Sequence, residues 1–227
     1  MSPMIGAYTS VWPRCAVCSS AWAYHAKKVT PRQRTRFPAH PASASGLPSA
    51  HRALDLRRLK FVDESSVNLA MTRLFGRAPA GERVVGSVPQ NYGPNVTMLR
   101  ALGLQGLQAV MTVNGATDAD VFRTYVKQVL GPTLIPGDIV VMDNLQAHKA
   151  VGVQQALARR GARLVYLPPY SPDLSPIEPC WSKLKTARRK AQARTRAALD
   201  AAIAEAMVTV SRTDTWGWFK HCGYPLH

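Results

Sequence analysis

The fold of this chain is decided by DIVVMDNLQAHK at residues 138–149 and RLVYLPPYSPDLSPIEPCWSKLK at residues 163–185. The first stretch contains the apolar run 139–142, which ends on Asp143. A short apolar run bounded by turn-forming residues is typical of a buried strand. We therefore expect Asp143 at the carboxyl end of a central strand, where its carboxylate can reach a cleft without leaving the scaffold.

The second stretch places another acid one structural unit later. Residues 149–160 have the pattern of a helix that ends at Gly161, and a second apolar run follows at 164–167. A proline-rich loop then leads to Glu178 at the start of a basic helix, so that 34 residues separate it from Asp143. An acid that ends a strand and an acid that opens a helix one αβ unit later can converge on one divalent metal ion.

The remaining sequence predicts a mixed sheet. The predicted elements are strands at 59–63, 95–102 and 107–113, a weaker strand or loop at 83–88, and helices at 117–130, 195–210 and, as a short aromatic turn or helix, 214–219. The first of these strands ends on a further acid, Asp63. Three leading strands joined by short turns favour antiparallel pairing, and the βαβα alternation after them favours parallel pairing. We therefore predict an α/β fold in which one mixed sheet, antiparallel first and then parallel, carries helices on both faces.

The net charge of the chain points to a polyanionic partner. Lysine and arginine number 29 against 13 acidic residues, which gives a net charge of +16 and a pI near 10.3. Nucleic acid is the commonest partner of so basic a protein, although an arginine-rich composition without such a partner looks similar. No apolar stretch approaches the ~18 residues of a membrane span, so we expect no membrane partner.

Residues 1–57 differ in composition from the rest of the chain. They contain eight basic residues against one acid, Asp55, and no sustained helical or strand periodicity. We expect this segment to be disordered or loosely attached, because it cannot bury enough apolar surface to offset the ordering of its backbone. Three interpretations of this segment stay open: a basic arm that binds DNA phosphates, an organellar transit peptide, or vestigial sequence. Cys15 and Cys18 form a C-x-x-C pair, but nothing nearby completes the four ligands of a structural zinc site.

Three motifs together resemble those of a known family. They are FVDES around Asp63, VVMDNLQAHK around Asp143 and LPPYSPDLSPIEPCWSKLK around Glu178, and the resemblance extends over about residues 59–223. The chain is similar here to the catalytic domain of the mariner-related transposases of bacterial insertion sequences, which share the RNase H-like fold of retroviral integrases. This resemblance implies that the three acids form a DDE triad that holds Mg²⁺, for which Mn²⁺ can substitute.

The chemistry gives a reason for three acids that is independent of the family. In-line cleavage of a phosphodiester puts charge on the attacking and the leaving oxygen, and two Mg²⁺ ions about 3.5–4 Å apart stabilise both. Mg²⁺ prefers oxygen ligands and keeps several waters, so that a few carboxylates suffice. Asn144 and His148 also match the family motif, which implies that they hold Asp143 or approach DNA. For His148 we expect a supporting role beside the metal site and not a role as metal ligand, because Mg²⁺ is poorly matched to imidazole.

The basic helix after Glu178 is the candidate DNA-contact surface. Residues 183–196 contain no acid. Their basic members are Lys183, Lys185, Arg188, Arg189, Lys190, Arg194 and Arg196. A solvated basic face would explain such a run, but beside a phosphodiester-cutting site we expect salt-sensitive contact with DNA phosphates.

The chain departs from the family in its first residues. Complete members carry one or two helix-turn-helix units before the catalytic domain, and residues 1–57 show no amphipathic helices that could supply them. We interpret residues 58–227 as the catalytic domain of a DNA transposase without its end-recognition domain. By resemblance, it would cut double-stranded DNA at insertion-sequence ends and transfer the 3′-OH to target DNA in the bacterial nucleoid, in the cytoplasm. A homodimer, or a partner chain that carries the helix-turn-helix units, is expected on the same ground.

Two alternative functions stay open on the sequence alone. One is another RNase H-like nuclease, such as a resolvase or an RNase, which the proline-rich loop and the 34-residue spacing disfavour. The other is an inactive or domesticated DNA-binding remnant that keeps the fold. The presence of all three acids argues against decay of the active site.

Overall fold

The computed structural model describes residues 7–11 and 55–226. The predictions for residues 1–57, including the Cys15 and Cys18 pair, lie outside the described residues except at strand β1 (Ala7–Val11) and the last three positions. Strand β1 pairs antiparallel with β3 (Val85–Pro89) in a separate two-stranded sheet. The weaker strand or loop predicted at 83–88 is therefore a strand, but it does not join the main sheet. Within the described ranges, no helix is long and apolar enough to cross a membrane.

The main sheet has five strands in the spatial order β5-β4-β2-β6-β7. They are β2 (Leu59–Val67), β4 (Val96–Gly103), β5 (Gly106–Asn114), β6 (Ile139–Met142) and β7 (Arg163–Tyr166). Strands β2, β4 and β5 pair antiparallel, whereas β6 lies parallel to β2 and β7 parallel to β6. This arrangement confirms the predicted mixed sheet, with antiparallel strands first and parallel strands after them.

Strand β2 is longer than the sequence indicates. It continues past Asp63 to Val67, so the prediction that the strand ends on this acid was wrong. The reason is its pairing, because β4 remains beside β2 as far as Val67, whereas the parallel pairing with β6 stops at Phe61. Asp63 therefore lies within a strand, on the side where its parallel neighbour has already ended.

Helices cover both faces of the sheet. They are α1 (Ala119–Thr124), α2 (Val153–Ala158), α3 (Ile177–Ala191), α4 (Arg196–Val208) and α5 (Arg212–His221). Helix α1 continues as a π-helical segment, Tyr125–Leu130. Helix α2 begins later than the predicted residue 149, because Gly152 precedes it with a φ of 92° that favours glycine. The aromatic segment near the end forms a full helix, α5, since Ser211 and Asp214 make a reciprocal capping box at its start.

Alternate side chains of the central strands enter two separate cores. Phe61 of β2 packs with α3, α4 and α5 on one face, and its ring lies 5.5 Å from that of Phe219 and 5.4 Å from that of Tyr224. Val62, the next residue, packs with Phe122 and the helices of the other face. Burial on both faces explains why the central strand β6 is apolar throughout.

Candidate active site

The sheet register brings Asp63 and Asp143 to equivalent positions on neighbouring strands. Phe61 of β2 is paired with Val141 of β6, and each acid follows its paired residue by two positions. Side chains alternate along a strand, so both acids leave the sheet on the face that α3 covers. Two carboxylates that lie 80 residues apart in the sequence are thus adjacent in space.

Asp63 has the most perturbed environment of the three acids. Burial raises the pKa of its carboxyl from the ordinary 3.8 to about 6, and the negative charges of Glu178 and Asp143 add to the rise. The Trp181 indole opposes them, since its Nε1–H donates to Asp63 Oδ2 at 2.8 Å. Glu178 and Asp143 are thus close enough to Asp63 for their charges to act on it.

Asp143 is held in its ionised form by neighbouring donors. Burial would raise the pKa of its carboxyl, but His148 and the backbone N–H of Leu145 outweigh burial and lower it. The Nδ1 atom of His148 lies 2.5 Å from Asp143 Oδ1. His148 is fully buried and stacks on Phe122 with ring centroids 4.4 Å apart. The structure thus places His148 directly against Asp143.

Asn144 and Glu178 lie on either side of the proline-rich loop. The Asn144 side chain donates to the carbonyl oxygen of Leu167, which ties the end of β6 to the start of this loop. The loop leads to α3, where Glu178 is exposed in the first helical turn. A carboxylate at this position is favoured by the partial positive charge of the helix amino terminus.

One cleft contains all three predicted acids. Its volume is about 430 Å³, and Asp63, Asp143 and Glu178 line it together with the loop that contains Tyr170. Tyr170 is fully exposed and adopts a left-handed backbone conformation with a φ of 58°. Among the described residues no lysine or arginine lines the cleft, so this part of a strongly basic chain is locally acidic.

The side chains of the cleft suit a hard divalent cation. Among the described residues, no three carboxylate, imidazole or thiol groups are gathered closely enough to enclose a metal ion. The three carboxylates nevertheless supply only oxygen donors, and the charges of Glu178 and Asp143 act unfavourably on ionised Asp63. Mg²⁺ prefers this ligand chemistry, and it retains several waters instead of requiring a closed protein cage.

Two predicted DNA-contact residues have other roles within the fold. Lys183 donates to the carbonyl oxygen of Thr209 at 2.8 Å and pairs with Asp214 at 2.6 Å, which joins α3 to the capping box of α5. Arg188 is only 2% exposed, and burial lowers the pKa of its guanidinium. Arg188 is therefore not presented to solvent as a phosphate contact would require, whereas Lys183 is partly exposed but already paired within the fold.

The other basic residues of this helix remain accessible. Lys185 and Arg189 are half-buried one helical turn apart, and Lys190 is exposed beside them. Arg194, past the end of α3, is exposed but donates to the carbonyl oxygens of Leu69 and Met71. On α3, the basic side chains that are accessible for a contact with DNA phosphates are therefore chiefly Lys185, Arg189 and Lys190.

Sequence reasoning missed two residues that contact this site. Trp181 follows Glu178 by three positions, which places both on one face of α3. Arg100 lies directly opposite Asp63 in the β2–β4 pairing, and its guanidinium is 4.9 Å from the centre of the Trp181 ring. Burial lowers the pKa of Arg100 to about 10. A charged residue inside an otherwise apolar strand, VTMLRALG, was the available signal for Arg100.

Comparison with known proteins gives a consistent result. The sequence model of the DDE superfamily endonucleases matches residues 58–200. The fold is similar to that of the Mos1 transposase in a paired-end complex with the left transposon end, with a TM-score of 0.63 and 15% identity over 77% of this chain and 55% of that one. The catalytic domain of the Mos1 mariner transposase is similar with a TM-score of 0.55 and 14% identity, over 77% and 81% of the two chains.

Two further facts limit these likenesses. The chain spans about half the length of the Mos1 transposase chains in the DNA complexes that it matches. No curated protein sequence matches it. At these identities the structural likeness shows the RNase H-like fold, and the family assignment depends on the sequence model.

Proposed function

The chain belongs to the DDE superfamily endonucleases, and we propose that it is the catalytic part of a DNA transposase that cuts DNA and transfers the freed 3′-OH. The observation that carries this proposal is the acidic cleft that Asp63, Asp143 and Glu178 line together in a strongly basic chain. These are the residues that the three family motifs predict. We propose residues 58–227 as the catalytic unit.

The three carboxylates are proposed to hold Mg²⁺, for which Mn²⁺ can substitute. The Mos1 complexes crystallised with Mg and with Mn support divalent-metal use in a protein of this fold. When bound, such ions would neutralise charge on the phosphodiester oxygens and lower the pKa of the attacking water. The acids differ in their surroundings, because Asp63 and Asp143 accept hydrogen bonds from neighbouring donors whereas Glu178 is exposed at a helix start.

The residues around the acids have separate tasks in this proposal. His148 and the backbone N–H of Leu145 keep Asp143 ionised and oriented, and Asn144 anchors the adjoining loop. The accessible basic residues of α3 bind backbone phosphates, which places the scissile bond without selecting its sequence. The helix that supplies Glu178 therefore also supplies phosphate contacts.

The DNA partner and the assembly are proposed from the same relatives. The Mos1 structures include a paired-end complex with the left transposon end and a strand transfer complex, which supports a transposon-end DNA partner for a protein of this fold. We propose double-stranded insertion-sequence ends as the substrate here, bound by a homodimer in the bacterial nucleoid. We assign recognition of those ends to helix-turn-helix units on a partner chain.

The test is a cleavage and strand-transfer assay on duplexes that contain the terminal repeats of the element. The protein is compared with Asp143→Asn at low salt, in Mg²⁺, in Mn²⁺ and in EDTA. We expect metal-dependent nicking and 3′-OH joining that the substitution abolishes. Nicking without joining would indicate another RNase H-like nuclease. Equal DNA binding by two inert proteins would contradict the proposal and indicate a DNA-binding remnant.

A further inference from the structure

Arg100, Trp181 and Asp63 form a continuous chain of contacts beneath the acidic cleft. The pairing of β2 with β4 sets Asp63 opposite Arg100, so their side chains leave the sheet on the same face. Trp181 of α3 bridges the two. Its Nε1–H donates to Asp63 Oδ2 at 2.8 Å, and the Arg100 guanidinium carbon lies 4.9 Å from the centre of its ring.

The burial of Arg100 requires an explanation beyond packing. It is 1% exposed, and among the described residues its Nε and Nη1 groups have no hydrogen-bond partner. Its Nη2 lies 2.8 Å from the sulfur of Met98, which is only a weak acceptor. Burying a charge without a paired carboxylate is unfavourable, and an apolar residue would fill the same space without that cost. The stacking of Arg100 on Trp181 is the specific interaction that this charge makes.

The geometry of Trp181 leaves its indole little freedom. The side chain is 3% exposed in the core between α3 and the sheet, with Arg100 against its ring. An indole has a single hydrogen-bond donor, and here that donor is used on Asp63. Because Glu178 precedes Trp181 by three residues on the same helix, α3 supplies one acid of the cleft and the donor that fixes another.

We propose that Trp181 and Arg100 are positioning residues for the metal site. Trp181 holds one oxygen of Asp63, which keeps the carboxylate in one orientation toward the cleft, and Arg100 holds the plane of the indole. The inference rests on the proposed function, since it takes Asp63 as a metal-binding carboxylate. Groups that orient a metal ligand typically change metal affinity or activity by about 10- to 100-fold when they are removed.

The first test separates the indole N–H from its packing. Trp181→Phe keeps an aromatic ring and removes the donor, and Trp216→Phe is a matched control because Trp216 is 43% exposed on α5. Calorimetric titration with Mn²⁺, without DNA, measures metal affinity, and cleavage at varied Mg²⁺ gives the half-saturating concentration and kcat. We expect Trp181→Phe to weaken Mn²⁺ binding by about 10-fold or more and to raise the Mg²⁺ requirement. Trp216→Phe should behave like the wild type.

The second test needs no change at Trp181. In a ¹⁵N-labelled protein, the indole N–H resonance of Trp181 should move when Mg²⁺ is added and when Asp63 is replaced in Asp63→Ala. That of Trp216 should respond to neither. Arg100→Met, which keeps the length of the side chain without its charge, should shift the Trp181 resonance and weaken Mn²⁺ binding, whereas Arg100→Lys should restore part of both.

The outcomes distinguish this inference from the proposed function. A folded Trp181→Phe protein with wild-type Mn²⁺ affinity, or a Trp181 resonance indifferent to Asp63→Ala, would overturn the positioning role and leave the proposed function intact. Absence of any Mg²⁺ or Mn²⁺ response in the wild type would instead contradict the metal site itself. If Trp181→Phe does not fold, the resonance of Trp181 in the wild type and in Asp63→Ala decides the question.

Discussion

Replacing Asp63 by asparagine should stabilise the metal-free protein at neutral pH. The pKa of this carboxyl is raised to about 6 by burial and by its acidic neighbours, so the folded protein binds this proton more tightly than the unfolded chain does. Stability contributed by the protonated group is therefore present at low pH and lost as the pH rises from about 3.8 through 6. Asparagine has a similar shape but no charge, and its side-chain oxygen can still accept from Trp181.

The size of the effect follows from the two pKa values. The interval between 3.8 and about 6 corresponds to at most about 3 kcal/mol of unfolding free energy above pH 7. Near pH 4.5 most of the folded protein is already protonated at Asp63, and the difference should fall to about 1 kcal/mol. For a chain of this size each 1 kcal/mol moves the Tm by roughly 2–4 °C.

The assay is thermal unfolding of the wild type and Asp63→Asn in EDTA at pH 7.5 and pH 4.5. Asp143→Asn is the matched control, because the pKa of Asp143 is lowered by His148 and Leu145 and the ionised form there is stabilising. We expect Asp63→Asn to unfold at a higher temperature than the wild type at pH 7.5, and Asp143→Asn to unfold at a lower one. Added Mg²⁺ should stabilise the wild type and leave Asp63→Asn nearly unchanged, since only a state that binds the ion gains stability.

Two results would refute this reasoning. An unchanged or lower Tm for Asp63→Asn at pH 7.5 would show that burial and the neighbouring acids do not destabilise the ionised carboxylate of Asp63. A gain of equal size at pH 4.5 would show that it arises from packing and not from the charge.

Three further predictions concern the surface and the core. Replacing Lys185, Arg189 and Lys190 together by glutamine should weaken DNA binding and reduce the slope of log affinity against log salt by up to about 3. The control replaces Lys127 and Arg159, which are exposed on the opposite face, by glutamine and should leave the slope unchanged. An unchanged slope in the first variant would exclude α3 from phosphate contact. Lys183→Met should lower the unfolding free energy by about 1 kcal/mol, because it removes the partly exposed pair with Asp214. The pKa of Asp214 is lowered to about 2, chiefly by Lys183, so this loss should be complete above about pH 4 and disappear as the pH falls toward 2; a loss independent of pH would contradict the pairing. Phe219→Ala should cost about 3–5 kcal/mol and Phe219→Leu clearly less, since the ring is fully buried against Phe61; denaturant unfolding measures both, and equal losses would argue against the ring contact.

Sequence alone was enough for the fold class, and it singled out three acids that the structure brings to one cleft. The run at 139–142 is apolar at every position, which fits a strand buried on both faces. Asp143 comes directly after this strand, and a helical segment follows it. Short-range patterns determine such elements because the side-chain periodicity of strands and helices is fixed by backbone geometry. The motifs around Asp63, Asp143 and Glu178 also predicted the family that the sequence model confirms.

Contacts between distant parts of the chain depended on the tertiary structure. Lys183 and Lys185 look alike in the sequence and are both partly exposed, but only the contact of α3 with α5 shows that Lys183 pairs with Asp214. The bond from Trp181 to Asp63 joins residues 118 positions apart, and no local pattern encodes it. Sequence periodicity indicates which face of a strand or helix is buried. The register between β2 and β6 and the packing of α3 against the sheet decide which of the buried side chains contact one another.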